Sequence, residues 1–126
     1  MHAAHRPRRS VLYMPGSKSR ALEKAEGLPA DALILDLEDA VAPEEKPAAR
    51  ELVCDGVEAR RLGPREVIIR INGLETEWGE ADLTAAAAAG PDAILVPKID
   101  RADEIVDIAD RMNAAGAPED TAIWAM

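Results

Sequence analysis

The sequence predicts an α/β protein built around a parallel β-sheet. Five short apolar segments alternate with four longer segments whose apolar residues recur at helical spacing. Such alternation is typical of parallel strands joined by right-handed crossovers. The core must be made of Ala, Leu, Ile and Val, because Phe is absent and aromatic residues make up only 2% of the chain. This aliphatic composition is typical of parallel strands that are buried on both faces.

The strands are predicted where apolar runs meet turn-forming residues. The first run, VLYM, is closed by Pro15-Gly16, and the third, EVIIRI, follows the helix-breaking pair Gly63-Pro64. β-Branched residues in these runs favour extended backbone, and Gly and Pro interrupt regular structure. The predicted strands span residues 11–14, 32–37, 66–71, 93–98 and 121–126.

The helices are predicted from their start and stop signals. Ser17 is the expected N-cap of the first helix, because a serine side chain accepts the free amides of a first turn. Asp100 is expected to cap the fourth helix in the same way. The predicted helices span residues 17–27 and 43–62, an Ala-rich segment that ends at Gly90-Pro91, and a last segment that exits at Gly116.

Two architectures fit this order of elements, a doubly wound sheet and a (β/α)₈ barrel. Neither the GxGxxG fingerprint nor the P-loop pattern follows the first strand, which makes a Rossmann-type sheet less favoured. Residues 1–10 are basic and are expected to form a short, poorly ordered tail. The folded domain is therefore predicted to span residues 11–126.

Length and charge exclude several classes of function. The chain has 126 residues, the size of one domain, and a net charge of −9. This charge argues against nucleic acid or an anionic membrane surface as the main partner. No apolar run approaches the ~18 residues of a membrane span, and the N-terminus lacks the apolar stretch of a signal peptide. We expect a cytoplasmic protein whose single cysteine, Cys54, is a buried reduced thiol.

The most informative segment is DALILDLEDAV, residues 31–41, in which an apolar strand runs directly into three carboxylates. Alternation along the strand places Asp36 and Glu38 on the same face as Ile34. Burying these acids would cost several kcal/mol unless a cation, an arginine or hydrogen bonds compensate. Mg²⁺ is one natural partner, since it prefers carboxylate oxygens. The alternative is a solvated loop in which Asp39 caps the next helix.

Charged residues or a tight turn follow each of the first four predicted strands. In a parallel α/β fold the segments PGSKSR, DLEDAVAP, RINGLETEWG and PKID lie at the same edge of the sheet, as in active sites at the carboxyl end of a barrel. The PGS turn offers backbone amides to a phosphate or carboxylate, with Lys18, Arg20 and Lys24 nearby. An ordinary helix cap with solvated bases is the alternative interpretation.

Arg70 lies on a strand that otherwise consists mainly of Val and Ile, and alternation places it on the face of Ile68 and Asn72. It could pair with an acid on the neighbouring strand, or it could bind a substrate carboxylate or an enolate oxygen. Lys98, which follows Pro97 at the end of the fourth strand, has the same two interpretations.

Together, RSVLYMPGSKSRALEKA, DALILDLEDAVAPEEKPAAR, VIIRINGLETEWGEADL and AILVPKID resemble the HpcH/HpaI aldolase and citrate lyase β-subunit family, and in particular its malyl-CoA lyase and CitE-like branch. The resemblance runs from Arg9 to Met126. It implies a (β/α)₈ TIM barrel, of which this chain supplies the first four βα units and a fifth strand. It also implies a homo-oligomer, trimer or hexamer, for the full-length protein.

The activity implied by the resemblance is that of a Mg²⁺-dependent (or Mn²⁺-dependent) acyl-CoA lyase. Such an enzyme cleaves or forms a C–C bond between an acyl-CoA enolate and a small 2-oxo acid, with malyl-CoA, citramalyl-CoA or citryl-CoA as the substrate type. Arg70 corresponds to the catalytic arginine that contacts the 2-oxo acid and the reacting thioester. Tyr13, Lys18 and Lys24 correspond to CoA contacts, and Arg20 is their near neighbour.

The resemblance also implies a metal site that this sequence contains only in part. Glu38 and Asp39 lie beside the metal and bind its waters, and Asp36 joins them in an outer shell. The direct ligands, a Glu and an Asp, come from strands beyond the fourth and lie outside this sequence. Two other functions fit the motifs: a malyl-CoA thioesterase of the same family, and a non-catalytic partial barrel that needs another chain.

Overall fold

Five parallel strands form a single sheet in the computed structural model, which describes residues 6–59 and 62–126. The strands are Val11–Pro15 (β1), Ala32–Asp36 (β2), Glu66–Arg70 (β3), Ala93–Val96 (β4) and Ala122–Ala125 (β5). The helices are Ser19–Ala25 (α1), Lys46–Glu58 (α2), Gly79–Ala89 (α3) and Ala102–Ala114 (α4), with a 3₁₀ turn at Pro43–Glu45. Within the described residues, no helix is long and apolar enough to cross a membrane.

The strands lie in the order of the sequence, β1-β2-β3-β4-β5, and the helices cover only one face of the sheet. On that face the strand residues Leu33, Leu35 and Ile69 pack in one cluster with the helix residues Val53 and Leu83. The cluster on the opposite face contains strand residues alone, Ala32, Ile34, Ile68, Ala93 and Leu95, with Trp124 packed against them.

This arrangement decides between the two architectures that the sequence left open. A doubly wound sheet carries helices on both faces and reverses its strand order at a switch point. Consecutive parallel strands with helices on one face are instead the arrangement found in a (β/α)₈ barrel. The inner face of such a barrel is filled by aliphatic side chains, which agrees with the Ile and Leu residues of the helix-free cluster.

The element order is as predicted, but three helix boundaries differ from the prediction. Ser17 is not the N-cap of the first helix, because α1 begins at Ser19 and no side chain caps it. The predicted helix 43–62 is a 3₁₀ turn followed by α2, which ends at Glu58. Asp100 does not cap α4; the Glu104 carboxylate accepts the backbone amides of Asp100 and Arg101 instead. Local side-chain preference alone does not determine which residue caps a helix.

The described part of the predicted tail, residues 6–10, contacts the amino ends of the strands. Arg8 makes a bidentate ion pair with Glu66, the first residue of β3, at 2.7 and 2.8 Å. The backbone amide of Arg9 donates to Asp31, just before β2, at 2.8 Å. Residues 6–10 form no helix or strand but contact the sheet, and residues 1–5 of the predicted tail lie outside the described residues.

Candidate active site

The carboxyl ends of β2 and β3 bring Asp36 and Arg70 side by side, because these two residues are partners in the strand register. Arg70 Nε donates to Asp36 Oδ1 at 2.8 Å, and Arg70 Nη2 donates to Asp36 Oδ2 at 2.7 Å. Asp36 is 1% exposed and Arg70 is 7% exposed. The predicted pairing of Arg70 with a neighbouring acid is confirmed, as a buried two-pronged ion pair of the strong, geometrically specific kind.

The Asp36 carboxylate also holds the loop that follows β2. Its Oδ1 accepts the amide of Glu38 at 2.9 Å, and its Oδ2 accepts the amide of Ala40 at 3.1 Å. Burial by itself raises the pKa of Asp36, but the hydrogen bonds from Arg70 and from the two amides outweigh it and leave the pKa below its usual range. Asp36 is therefore ionised at neutral pH and engaged on both oxygens by groups of the chain.

Arg70 keeps one side of its guanidinium outside this pair. The group lies over the ring of Tyr13 with its carbon 4.7 Å from the ring centroid, a geometry in which the ring stabilises a cation. Arg70 Nη1 lies 3.5 Å from Glu38 Oε1. Hydrogen bonding to Asp36, set against the opposing effect of burial, raises the pKa of Arg70 further above its already high value. The group is thus a permanently charged donor whose orientation is fixed by Asp36 and Tyr13.

Glu38 lies at the boundary between the core and the open surface, with 17% of its side chain exposed. Burial, followed by the charge of Asp39, raises the pKa of Glu38, whereas the charges of Arg70 and Lys98 act in the opposite direction. Asp39 is exposed. An open depression at this edge is lined by Tyr13, Asp36, Asp39, Ala40 and Arg70. The structure therefore brings five of the predicted site residues together: Tyr13, Asp36, Glu38, Asp39 and Arg70.

The predicted CoA-binding bases stand apart from this group. Lys18, Arg20 and Lys24 are exposed on and just before α1, and none of them lines the depression around Arg70. The preceding turn does adjoin the site, because the Gly16 amide donates to the carbonyl of Asp36 at 2.9 Å. A Cβ on Gly16 would lie 2.6 Å from that carbonyl oxygen, so only glycine allows this close approach.

A buried polar network behind the site was not predicted from the sequence. Asn72 was expected on the Arg70 face, but β3 ends at Arg70 and Asn72 turns toward the helices. Its Nδ2 donates to the Leu37 carbonyl at 2.8 Å and to Asp82 at 2.6 Å. Asp82, which is fully buried in α3, also accepts from Arg50 Nε of α2 at 2.8 Å. The alternation rule fails at Asn72 because it holds only within a strand.

Lys46, the first residue of α2, completes this network and is only 6% exposed. Its ammonium donates to the carbonyl of Leu37 at 3.1 Å, to the carbonyl of Glu38 at 2.8 Å and to Asn72 Oδ1 at 2.8 Å. It also lies 5.1 Å from the centroid of the Trp78 ring. The one signal in the sequence is a lysine at a helix start, where the helix dipole disfavours a cation.

Lys98 has a special backbone conformation at the same edge of the sheet. Its φ is +58°, and it is the only non-glycine residue with positive φ among residues 6–59 and 62–126. Left-handed backbone is costly for a side chain of this kind and occurs preferentially at functional sites. Lys98 is exposed, two residues beyond the end of β4, and its charge acts on Glu38.

Residues 9–120 match the family model described as HpcH/HpaI aldolase/citrate lyase. The chain belongs to the HpcH/HpaI aldolase/citrate lyase family. Among its relatives, the (3S)-malyl-CoA thioesterase of Cereibacter sphaeroides is 55% identical over 99% of this chain and 41% of its own length. The citrate lyase subunit beta of Escherichia coli K12 is 41% identical over 82% of this chain and 34% of its own length.

Solved structures of this family and of malate synthase share the fold. CitE from Mycobacterium tuberculosis, in complex with magnesium, acetoacetate and coenzyme A, superposes with a TM-score of 0.66 and 34% identity over 79% of this chain and 35% of its own. Haloferax volcanii malate synthase superposes with a TM-score of 0.76 over 97% of this chain and 42% of its own, but at 17% identity it shows the fold alone. The predicted TIM-barrel fold is confirmed, and the chain spans less than half the length of these relatives.

The magnesium in the CitE structures agrees with the predicted cofactor of the family. Across the part of the chain that the structure describes, however, no group of three or more His, Cys, Asp or Glu residues could hold a metal ion. Asp36 is already engaged by Arg70 and by two backbone amides. These residues do not build a metal site by themselves, and the origin of the direct ligands in other segments stays a prediction.

The single thiol takes no part in the site. Cys54 is free and buried in α2. Burial, followed by the negative charges of Glu58 and neighbouring acids, raises the pKa of the thiol to about 11. Only the thiolate is a strong nucleophile, so the raised pKa keeps Cys54 a weak nucleophile at neutral pH. The prediction that Cys54 is a buried, reduced thiol is confirmed.

Proposed function

We propose that this chain forms the Arg70-bearing part of an enzyme that acts on malyl-CoA or a similar acyl-CoA thioester. The observation that carries the proposal is the guanidinium of Arg70, held by Asp36 and Tyr13 at the carboxyl edge of the sheet with Nη1 directed away from Asp36. The family, whose relatives include a malyl-CoA thioesterase and citrate lyase beta subunits, supports an acyl-CoA or related acyl substrate.

In this proposal Arg70 stabilises the thioester oxygen as negative charge develops on it. A donor that is already oriented and desolvated loses little free energy to reorganisation when the charge appears. Asp36 supplies that orientation, because it holds Nε and Nη2. Nη1 makes only a long contact with Met126 Sδ, at 3.8 Å, besides the one with Glu38, and it would turn to the substrate. Glu38 Oε1 lies 3.5 Å from Nη1. A substrate oxygen that binds Nη1 would therefore either displace the Glu38 carboxylate from Nη1 or lie beside it.

Two reactions use the same oxygen. Thioester hydrolysis is favoured by the 55% identity with the (3S)-malyl-CoA thioesterase, and there Arg70 would stabilise a tetrahedral oxyanion. Cleavage of the C–C bond, the reaction expected from the sequence, is the second candidate and is supported by the 41% identity with a citrate lyase beta subunit. There Arg70 would stabilise an enolate oxygen.

The remaining site residues have proposed binding roles. Lys18, Arg20 and Lys24 are exposed cations next to the PGS turn, which suits the phosphates of CoA, and Tyr13 would contact CoA at the side of Arg70. Mg²⁺ or Mn²⁺ would bind in the whole protein, whose other segments supply the ligands.

Glu38 and Asp39 remain able to bind waters of such an ion, whereas Asp36 acts through Arg70 and the loop. The predicted trimer or hexamer stays a prediction. So does the partial barrel that needs another chain, which a monomeric, cooperatively unfolding 126-residue chain would contradict.

The two reactions are distinguished by their products. The protein that contains this chain would be incubated with malyl-CoA and Mg²⁺. Hydrolysis consumes water and gives malate and free CoA, which a thiol reagent detects. C–C cleavage gives acetyl-CoA and glyoxylate, which phenylhydrazine detects, with no free thiol. Release of neither thiol nor glyoxylate from malyl-CoA would contradict the proposed function.

The role of Arg70 is tested by substitution. Arg70→Ala should lower kcat/KM by at least ~2 kcal/mol, or about 30-fold, as for comparable electrostatic groups. Arg70→Lys keeps the charge but cannot hold both Asp36 oxygens and a substrate oxygen at once, so it should also lose at least ~10-fold. Arg101→Ala, which removes an exposed arginine, is the control and should match the wild type. Arg70 variants within twofold of the wild type would refute the assignment.

A further inference from the structure

We infer that Lys46 is a positioning residue for the active site, which sets the backbone of the loop after β2 and thereby the place of Glu38 beside Arg70. The inference rests on the proposed function of Arg70. Lys46 does not line the depression around Arg70, so it acts through other groups and touches no substrate.

The ammonium of Lys46 joins the ends of two neighbouring strands. It donates to the carbonyls of Leu37 and Glu38, the two residues that follow β2, and to Asn72 Oδ1 just beyond β3. These are three oxygens for three N–H donors, so the hydrogen-bonding capacity of the ammonium is fully used. The Trp78 ring closes the remaining side, with its centroid 5.1 Å from Nζ.

The peptide groups that Lys46 holds are also held from the side of Arg70. The Leu37 amide donates to the Arg70 carbonyl at 2.9 Å, and the Glu38 amide donates to Asp36 at 2.9 Å. Lys46 thus fixes the carbonyls of Leu37 and Glu38, two of the three residues whose amides are held by Asp36 or by the Arg70 carbonyl; the third, Ala40, has no hydrogen bond to Lys46. This double hold leaves the Glu38 backbone little freedom, and it accounts for the approach of Glu38 Oε1 to Arg70 Nη1 at 3.5 Å.

A lysine at this position is not explained by helix stability. Lys46 is the first residue of α2, where a cation is disfavoured by the helix dipole and an acid is preferred. A buried ammonium without its three acceptors would also be costly. The hydrogen bonds to the three oxygens offset the costs of the helix dipole and of burial, and they account for a lysine at this position. Two of these oxygens belong to the loop that carries Glu38.

The test uses Lys46→Met in the protein that contains this chain. Methionine fills similar space but donates no hydrogen bond, so the carbonyls of Leu37 and Glu38 lose their partner. The control is Val53→Ala, a substitution in the buried face of the same helix that lowers stability but removes no hydrogen bond of the loop. Should Lys46→Met not fold, Lys46→Gln, which retains a shorter donor, is carried through the same measurements.

Two readouts separate this inference from the proposed function. The first needs no substrate: the ¹⁵N signal of Arg70 Nε, assigned by its loss in Arg70→Lys, should shift or broaden in Lys46→Met and stay in place in Val53→Ala. The second is kinetic: Lys46→Met should lower kcat at least ~10-fold with KM for the acyl-CoA changed less than ~3-fold. Val53→Ala should keep kcat within twofold.

Each outcome decides the inference. An unchanged Arg70 signal in Lys46→Met, or a kcat within twofold of the wild type, overturns the positioning role. Equal losses of kcat in Lys46→Met and Val53→Ala overturn it too, since they would reflect stability alone. A wild-type protein without activity toward malyl-CoA refutes the proposed function, and the Arg70 signal then decides the positioning role by itself.

Discussion

Replacing Asp36 by asparagine should destabilise this protein far more than the loss of a surface ion pair does. Asp36 accepts four hydrogen bonds, two from Arg70 and two from backbone amides. The single oxygen of asparagine can keep two of them. Its Nδ2 group would then face Arg70 Nη2 and the Ala40 amide, so that donors oppose donors inside the core.

The cost follows from these contacts. Each hydrogen bond to a charged group is worth about 1.5–3 kcal/mol, and removing one partner of a buried ion pair costs about 3–5 kcal/mol. We therefore expect Asp36→Asn to lower the free energy of unfolding by about 3–5 kcal/mol, a large part of the ~5–15 kcal/mol that holds a domain folded. The matched control is Asp103→Asn, which breaks a 2.6 Å pair whose side chains are 73% and 64% exposed, and it should cost under ~1 kcal/mol.

Urea unfolding of both variants measures the difference as a shift of the midpoint at constant slope. A pH series adds a check of sign. Because the pKa of Asp36 is lowered in the folded state, its contribution is present above about pH 4 and is lost as the pH falls through the folded-state pKa. The acid limb of the stability curve should therefore be flatter in Asp36→Asn. A loss no larger than that of Asp103→Asn would refute the reasoning.

Three further predictions concern packing, reactivity and titration. Gly16→Ala should cost about 1–3 kcal/mol, because its Cβ would lie 2.6 Å from the Asp36 carbonyl oxygen. Gly56→Ala, with nothing within 4 Å of its Cβ, should stabilise α2 by about 0.5–1 kcal/mol; the reverse order in thermal melts would contradict both. Cys54, with a thiol pKa of about 11, should react with a thiol reagent at pH 8 roughly 100-fold more slowly in the folded than in the urea-unfolded chain, and equal rates would disprove its burial. Glu38→Gln should raise the melting temperature at neutral pH. The pKa of Glu38 is raised in the folded state, so the ionised carboxylate lowers the stability of the fold above its unfolded-state pKa. The gain should vanish below about pH 4, and a gain that persists there would have another cause.

The residues alone were sufficient to predict the order of strands and helices and the grouping of Asp36, Glu38 and Arg70, whereas Tyr13 was placed with them only by the family resemblance. The reason is geometric: the carboxyl ends of parallel strands share one edge of the sheet, so residues that follow neighbouring strands meet whatever their separation in the chain. The choice between a doubly wound sheet and a barrel needed the structure, because both architectures produce the same order of elements.

The network around Lys46 could not be predicted in the same way. Lys46, Asn72 and Asp82 come from a helix start, a loop and the first turn of another helix, and no periodicity relates them. Their contact depends on how α2 and α3 pack together and on where β3 ends. Asn72 shows the difficulty, since two more residues of strand would have placed it on the Arg70 face instead of among the helices.

The contacts of Arg8 and Arg9 at the amino ends of the strands have a practical consequence for labelling. Arg8 contacts Glu66 at the amino end of β3, and Arg70 lies at the other end of the same strand. A group attached on the N-terminal side of Arg6 is therefore joined at the edge of the sheet opposite to Arg70. A fluorophore or affinity handle joined there can report on the molecule or immobilise it while the edge that carries Arg70 stays open to the proposed acyl-CoA substrate. Handles on the α1 side of the PGS turn would lie among the bases proposed to receive that substrate.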